Sequence, residues 1–323
     1  MQFRRQAYFM RIPAVLSLVV FSGSLVACSS TTTSAPSVAG PQRWQIASGA
    51  SSEAEALQAL DFYPNTITIS AGDTITWNNS TSIPHTVSIP PAGQVPSPGP
   101  PQPPVGGNVF DGTSYVSSGF MAAGGTYSVR FTTPGTYKYY CLVHQPEMVG
   151  TIIVLPTGSA LPQTQSAIST LAQADMTVDL NAASASLATF PYPSGGPHLA
   201  AGIAPGLAAG PPSQSTVMRF LDGTTLASAI TIVAGTTITW TNQSNNVPHT
   251  VTFPIAGQAP PAGPPDKVPP APGATYDGRA LRNSGTMRPG ASYSLTFTTP
   301  GSYAYYCLFH DGPGGMVGTV IVQ

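Results

Sequence analysis

The chain has 323 residues, a formal net charge of −1 and only 7% charged side chains. Its length allows two or three domains. The low content of lysine and arginine excludes the clustered basic surface that nucleic-acid binding requires. Long-range electrostatic steering of any partner should also be weak.

The N-terminus has the pattern of an export signal. Three arginines precede an apolar stretch at residues 12–21, which is too short to span a bilayer as a stable helix. We therefore predict a lipoprotein signal peptide at residues 1–27. The following stretch, 28–41, is rich in Ser, Thr and Pro and is predicted to be a flexible tether.

The end of this signal, LVAC, resembles a bacterial lipobox. The resemblance implies that Cys28 becomes the lipidated N-terminus, since several acyl chains on one residue anchor a protein firmly. The predicted location is then the cell envelope, outside the cytoplasmic membrane and attached to it. An ordinary secretory signal with an incidental cysteine is the alternative.

Two segments of the chain carry the same motifs in the same order. ITISAGDTITWNN is matched by ITIVAGTTITWTN, and TYSVRFTTPGTYKYYC is matched by SYSLTFTTPGSYAYYC. Trp240 follows its counterpart Trp77 by 163 residues, a period that indicates whole domains and not solenoid units. We assign residues 42–156 to domain 1 and residues 216–323 to domain 2.

Each copy consists mainly of strand and turn signals. Apolar and polar residues alternate within the motifs, and Ala-Gly and Thr-Pro-Gly turns separate them. About seven short strands per copy, with almost no helical periodicity, predict a Greek-key β-sandwich. The fold class is therefore predicted to be all-β, with two sandwich domains.

The segments outside the shared motifs have weaker signals. Residues 157–215 are rich in Ala, Ser, Gly and Pro and are predicted to be an interdomain linker with one short helix near 166–174. EAEALQAL at 53–60 favours a helical turn within domain 1. Proline-rich inserts at 90–112 and 254–278 are predicted to be loops with only partial order.

Each copy places a cysteine, a histidine and a methionine close together after a strand. A second histidine lies 56 residues before the cysteine in domain 1 and 58 residues before it in domain 2. Two imidazoles, a thiolate and a thioether form the ligand set of a blue-copper electron-transfer site. The candidate ligands are His85, Cys141, His144 and Met148 in domain 1, and His249, Cys307, His310 and Met316 in domain 2.

With these motifs, both copies resemble cupredoxins, the small blue-copper proteins that include plastocyanin and amicyanin. The resemblance covers residues 42–155 and 216–323. It implies two copper ions, one in each domain, each held by the four residues of that domain. The loop before Met316 is two residues longer than the loop before Met148, so the two sites should differ in reduction potential.

The resemblance also implies roles around the ligands. Thr86 and Thr250 follow the first histidine, where cupredoxins often have a polar residue that braces the cysteine sulfur. The later histidine of a cupredoxin usually lies at the surface within an apolar patch. His144 and His310 would then be the points at which electrons enter and leave.

Other interpretations of the same residues are less favoured. Cys141 and Cys307 could form one interdomain disulfide, but a disulfide does not require a histidine three positions after each cysteine. His198 lies in the predicted linker and is interpreted as incidental.

The favoured function is that of a non-enzymatic, membrane-tethered carrier of single electrons between redox proteins of the cell envelope. Copper storage or delivery by a chaperone is the first alternative. A multicopper oxidase or nitrite reductase is the second. It is disfavoured because the sequence has no His-x-His pair and no histidine beside either cysteine, and such enzymes need these residues for a further copper centre.

Overall fold

The computed structural model describes residues 40–52, 57–96, 103–144, 148–189, 198–203, 215–221, 229–244, 247–261, 268–310 and 315–323. The predicted signal peptide, Cys28 and nearly all of the predicted tether lie outside the described residues. The described part of the chain contains no helix that is long and apolar enough to cross a membrane.

Two successive sets of ten strands, with one helix between them, form the described structure. In domain 1 the strands are β1 Arg43–Ser52, β2 Leu57–Tyr63, β3 Thr66–Ser70, β4 Thr74–Asn78, β5 Ser88–Ile89, β6 Val109–Phe110, β7 Val116–Ser117, β8 Thr126–Phe131, β9 Gly135–Tyr140 and β10 Val149–Leu155. In domain 2 they are β11 His198–Ile203, β12 Ser215–Leu221, β13 Ala229–Ile232, β14 Thr237–Gln243, β15 Thr252–Phe253, β16 Thr275–Tyr276, β17 Arg282–Asn283, β18 Ser292–Phe297, β19 Gly301–Tyr306 and β20 Val317–Val322. The helix α1 is Gln165–Thr189.

The strands form three sheets. A ten-stranded sheet has the order β16-β18-β14-β11-β12-β2-β1-β4-β8-β6, and two five-stranded sheets have the orders β3-β10-β9-β5-β7 and β13-β20-β19-β15-β17. Each five-stranded sheet shares an apolar core with its own half of the long sheet. The prediction of two all-β sandwich domains is confirmed.

Alternation along the strands explains the cores. In β4, Ile75 and Trp77 are buried and their neighbours are partly exposed, as the two-residue period of a strand requires. The ring of Trp77 lies edge-on to the ring of Tyr139, with their centroids 5.3 Å apart, and Trp240 makes the same contact with Tyr305, also with centroids 5.3 Å apart. The repeated sequence therefore builds the same core twice.

One prediction about local structure is wrong, and a second is confirmed only in part. Within the predicted helical turn at 53–60, Leu57 begins strand β2, all seven residues of which are buried. Helix α1 is longer than the short helix predicted near 166–174, and β11 also lies within the stretch predicted to be linker. In both places contacts with distant parts of the chain outweigh local propensity.

Packing against the sheet accounts for the long helix. Thr164 caps its N-terminus by accepting a hydrogen bond from Ala167 N at 3.3 Å, as expected of an N-cap threonine. Ile168, Ala172 and Ala183 are buried and recur at helical spacing. The helix contacts β1, β2 and β12, so it covers strands from both domains.

The two domains meet at the centre of the long sheet. Strands β2 and β12 pair antiparallel, with Ala59 opposite Ser215, Gln58 opposite Thr216 and Leu57 opposite Val217. Phe62 packs on Tyr139, and Phe220 packs on Tyr305, each with ring centroids 4.5 Å apart. These equivalent contacts align LQALDFY of β2 with STVMRFL of β12. In this alignment Gln58 is equivalent to Thr216, so the strands are related by an approximate two-fold axis at this pair.

Candidate metal centres

The structure brings three candidate ligands together in domain 1. Cys141 directly follows β9, His144 lies in the loop after it, and His85 precedes β5 across the sandwich. Cys141 Sγ is 3.8 Å from His85 Nδ1 and 3.4 Å from His144 Nδ1. All three side chains are buried.

Domain 2 repeats this arrangement. Cys307 Sγ is 3.6 Å from His249 Nδ1 and 3.3 Å from His310 Nδ1. In each domain the three candidate ligand atoms lie within 4.8 Å of one another. His198, which begins β11, belongs to neither cluster.

These separations fit a bound metal ion. Metal–nitrogen and metal–sulfur bonds of about 2.0–2.3 Å, at angles between tetrahedral and trigonal, place sulfur and nitrogen about 3.4–3.8 Å apart. The observed range of 3.3–3.8 Å agrees with this. Both cysteines are free thiols, so the alternative of a Cys141–Cys307 disulfide is not what the structure has.

A threonine braces each cysteine, as the resemblance implies. Thr86 N donates to Cys141 Sγ at 3.4 Å, and Thr86 Oγ1 accepts a hydrogen bond from Leu142 N at 2.7 Å. In domain 2, Thr250 makes the equivalent bonds at 3.4 and 2.8 Å. The thiol is thereby fixed by the residue that follows the first histidine.

The methionines occupy matching backbone positions despite the unequal loops. Cys141 N donates to Met148 O at 3.0 Å, and Cys307 N donates to Met316 O at 3.0 Å. Both methionine side chains are fully buried and belong to the apolar clusters that contain the cysteines. The two additional residues before Met316 therefore leave its position relative to Cys307 unchanged.

Two glycines behind the first histidines were not recognised from the sequence. Gly49 and Gly202 lie at bulges in β1 and β11, with φ of 80° and 67°. A Cβ atom would be 2.6 Å from His85 Nε2 at Gly49 and 2.4 Å from His249 Nε2 at Gly202. A glycine within a strand often marks such a close approach, and this was the available signal.

Burial keeps all four imidazoles neutral in the metal-free protein. It lowers the pKa of His144 and of His249 to about 3. Burial, with repulsion from neighbouring imidazoles, lowers the pKa of His85 and His310 well below the usual value. A neutral imidazole is the form that binds a metal ion.

Burial has the opposite effect on the thiols. It raises the pKa of Cys141, and it raises the pKa of Cys307 to about 11. The metal-free thiols are therefore protonated at neutral pH, and each must lose its proton when it becomes a metal ligand.

The later histidines are not surface residues, contrary to the expectation. His144 is only 1% exposed and His310 only 6% exposed. Repulsion from His144 contributes to the low pKa of His310 in the other domain.

Comparisons with known proteins agree with this geometry. A family model described as copper binding proteins of the plastocyanin/azurin family matches residues 50–155 and 214–323. The plastocyanin of Scenedesmus fuscus is 38% identical over 99 residues, which are 30% of this chain and 88% of that protein. Amicyanin-alpha of Methylorubrum extorquens is 30% identical over 136 residues, 42% of this chain and 97% of that protein.

Other similarities are more partial. The chloroplastic plastocyanin of Tetradesmus obliquus is 36% identical over 101 residues, 30% of this chain, and the match spans only 59% of that protein. Among solved structures, an oxidised mutant of amicyanin is 21% identical over 35% of this chain and 82% of its own, with a TM-score of 0.24.

The two regions matched by the family model make up well over half of the chain. Each contains one cluster of two histidines and a cysteine. Copper is the metal of this family. The chain belongs to the plastocyanin/azurin family of copper-binding proteins.

Proposed function

We propose that this protein is a single-electron carrier with two blue-copper sites, one in each domain. The observation that carries the proposal is the pair of buried clusters, in which each cysteine sulfur lies 3.3–3.8 Å from two imidazole nitrogens. When bound there, copper would supply a one-electron couple between Cu(I) and Cu(II).

The proposed ligands have distinct roles. The thiolates of Cys141 and Cys307 and the paired imidazoles would bind the metal strongly, with Met148 and Met316 as weak axial ligands that adjust the potential. The ligands come from segments that are distant in sequence and adjoin the strands of a packed β-sandwich, which limits their movement. A site that changes little between oxidation states favours fast electron transfer.

The surroundings favour a carrier over the alternatives. A storage or delivery protein must exchange its copper, whereas both clusters are buried. An oxidase or nitrite reductase needs further histidines, and only His198 remains outside the two clusters. We therefore propose no catalytic residues.

We also propose that the protein acts outside the cytoplasmic membrane, attached through a lipid on Cys28. This part rests on the signal sequence and lipobox-like motif alone. The proposed partners are redox proteins of the cell envelope. With few charged residues, docking to them should depend little on ionic strength.

Copper titration of the purified protein tests the proposal. We expect saturation near two equivalents of Cu(II), with an intense visible thiolate-to-copper absorption band. Cys141→Ser and Cys307→Ser should each remove about half of the band. Cys28→Ser is the matched control and should leave the band intact.

Other outcomes separate the alternatives. Saturation at one equivalent would mean that one domain retains the fold without a functional site. Copper binding without an intense band would contradict the carrier function and favour storage. Rapid loss of copper to a chelator would favour a delivery role.

A further inference from the structure

The pairing of β2 with β12 fixes the two domains relative to each other. Three consecutive residue pairs join the strands, and Gln58 lies opposite its own equivalent, Thr216. The halves of the ten-stranded sheet therefore continue into one another across an approximate two-fold axis. Features close to this axis in one domain must be close to their counterparts in the other.

A second contact brings the metal-site loops to the same axis. Leu60, Ile83, Met218 and Val247 form one buried apolar cluster, two residues from each domain. Ile83 and Val247 each precede the first histidine of a site by two residues. Two residues of chain span at most about 7 Å, so His85 and His249 both lie near the cluster.

The later histidines are buried as well. Nδ1 of His144 faces its cysteine, so Nε2, on the far side of the ring, points away from the metal position. This Nε2 atom is buried and has no hydrogen-bond partner among the described residues. His310 is also nearly fully buried. The imidazole edges that face solvent in a typical single-domain relative are thus covered here.

From this geometry we infer that the two metal sites face each other across the domain interface and form a coupled pair, between which an electron passes within one molecule. The inference rests on the proposed function, because it needs both sites to hold copper. With both sites loaded, one copper would be oxidised from Cu(I) to Cu(II) while the other would be reduced from Cu(II) to Cu(I). One electron moves, and no other oxidant or reductant is required.

Pulsed electron paramagnetic resonance of the copper-loaded chain tests the proximity directly. With both sites as Cu(II), we expect a magnetic dipolar interaction between the two ions. Cys141→Ser and Cys307→Ser each retain one site and should lack this interaction. A wild-type signal equal to the sum of the two single-site signals would overturn the inference.

Electron exchange is tested by adding less than one electron per molecule with a light pulse. Met316→Leu changes the axial side chain of one site and separates the two potentials and absorption bands. We expect the electron to redistribute to the site of higher potential at a rate independent of protein concentration. A rate proportional to concentration, or no redistribution, would contradict the exchange.

An interface variant tests the role of the apolar cluster. Met218→Asp places an unpaired carboxylate at a buried position and should weaken the dipolar interaction while both blue bands remain. Met218→Leu conserves volume, and Val233→Asp places the same charge at a 65% exposed position. Both controls should behave as wild type. Equal dipolar interactions in Met218→Asp and Met218→Leu would refute the role of the cluster.

These results are distinguishable from a failure of the proposed function. If neither single-site variant has a blue band, the carrier proposal fails. If both have blue bands but the wild type shows no dipolar interaction, only the coupled pair is refuted.

Discussion

Replacing the glycines behind the first histidines should disturb copper binding more than it disturbs folding. An alanine Cβ at Gly49 would lie 2.6 Å from His85 Nε2, whereas ordinary contact begins at 3.4 Å, so the two atoms must separate by 3.4 − 2.6 = 0.8 Å to reach ordinary contact. At Gly202 the same difference for His249 is 3.4 − 2.4 = 1.0 Å. Metal–ligand distances tolerate only about 0.2 Å.

The expected loss follows from these displacements. Changes beside a metal ligand typically lower metal affinity by about 10- to 100-fold, equivalent to about 1.4–2.7 kcal/mol. The left-handed backbone adds about 1–2 kcal/mol of instability for any residue with a Cβ. Only the first effect depends on the histidine, so the two must be separated by controls.

The chain offers a matched control for each variant. Gly124 and Gly290 have φ of 74° and 80°, and a Cβ at either would meet nothing within 4 Å. Gly124→Ala and Gly290→Ala should therefore have the backbone cost alone. Copper affinity is measured by competition with a chromophoric chelator, with the other site removed by its Cys→Ser change. If Gly49→Ala and Gly124→Ala bind copper equally well, the proposed positioning of His85 by the bulge is incorrect.

Three further changes should have distinct effects. Thr86→Val leaves the buried N–H of Leu142 without its acceptor and should reduce the free energy of unfolding of the metal-free chain by about 1–3 kcal/mol. Chemical denaturation measures this change, and Thr86→Ser is the control that should retain stability. Burial raises the pKa of Asp61 to about 7 from an unfolded value of 3.8, so its stabilising contribution is present below pH 3.8 and is lost as pH rises through 7. Asp61→Asn should therefore match wild type at pH 4 and be more stable than wild type at pH 8, by at most about 4 kcal/mol. An equal difference in stability at both pH values would argue against this. Because the imidazoles are already neutral and the pKa of Cys307 is about 11, binding of each Cu(II) should release about one proton, from the cysteine thiol, between pH 6 and 8. A pH indicator measures the release. Two or more protons per copper would contradict the assigned protonation states.

The repeated features were predictable because they are local. Alternation in β4 and β14 and the turns between strands follow from short stretches of sequence. The spacing of Cys141 and His144 likewise fixes two side chains on one loop. These signals occur twice, and the second copy makes a chance pattern improbable.

The features at the junction could not be predicted because they depend on docking. LQALDFY has no alternation, since β2 is buried on both faces, and its composition favours a helix locally. The pairing of β2 with β12 joins residues of different domains, which no local motif encodes. The length of α1 has the same origin, because the helix packs on strands of both domains.

The junction also bears on how such a chain could arise. The pairing places a residue opposite its own equivalent, which is the arrangement of an isologous dimer interface. A single domain of this kind, made alone, would present β2 as an open sheet edge able to pair with a second copy of itself. Duplication and fusion of its gene would then convert an assembly that depends on protein concentration into one that forms within every molecule.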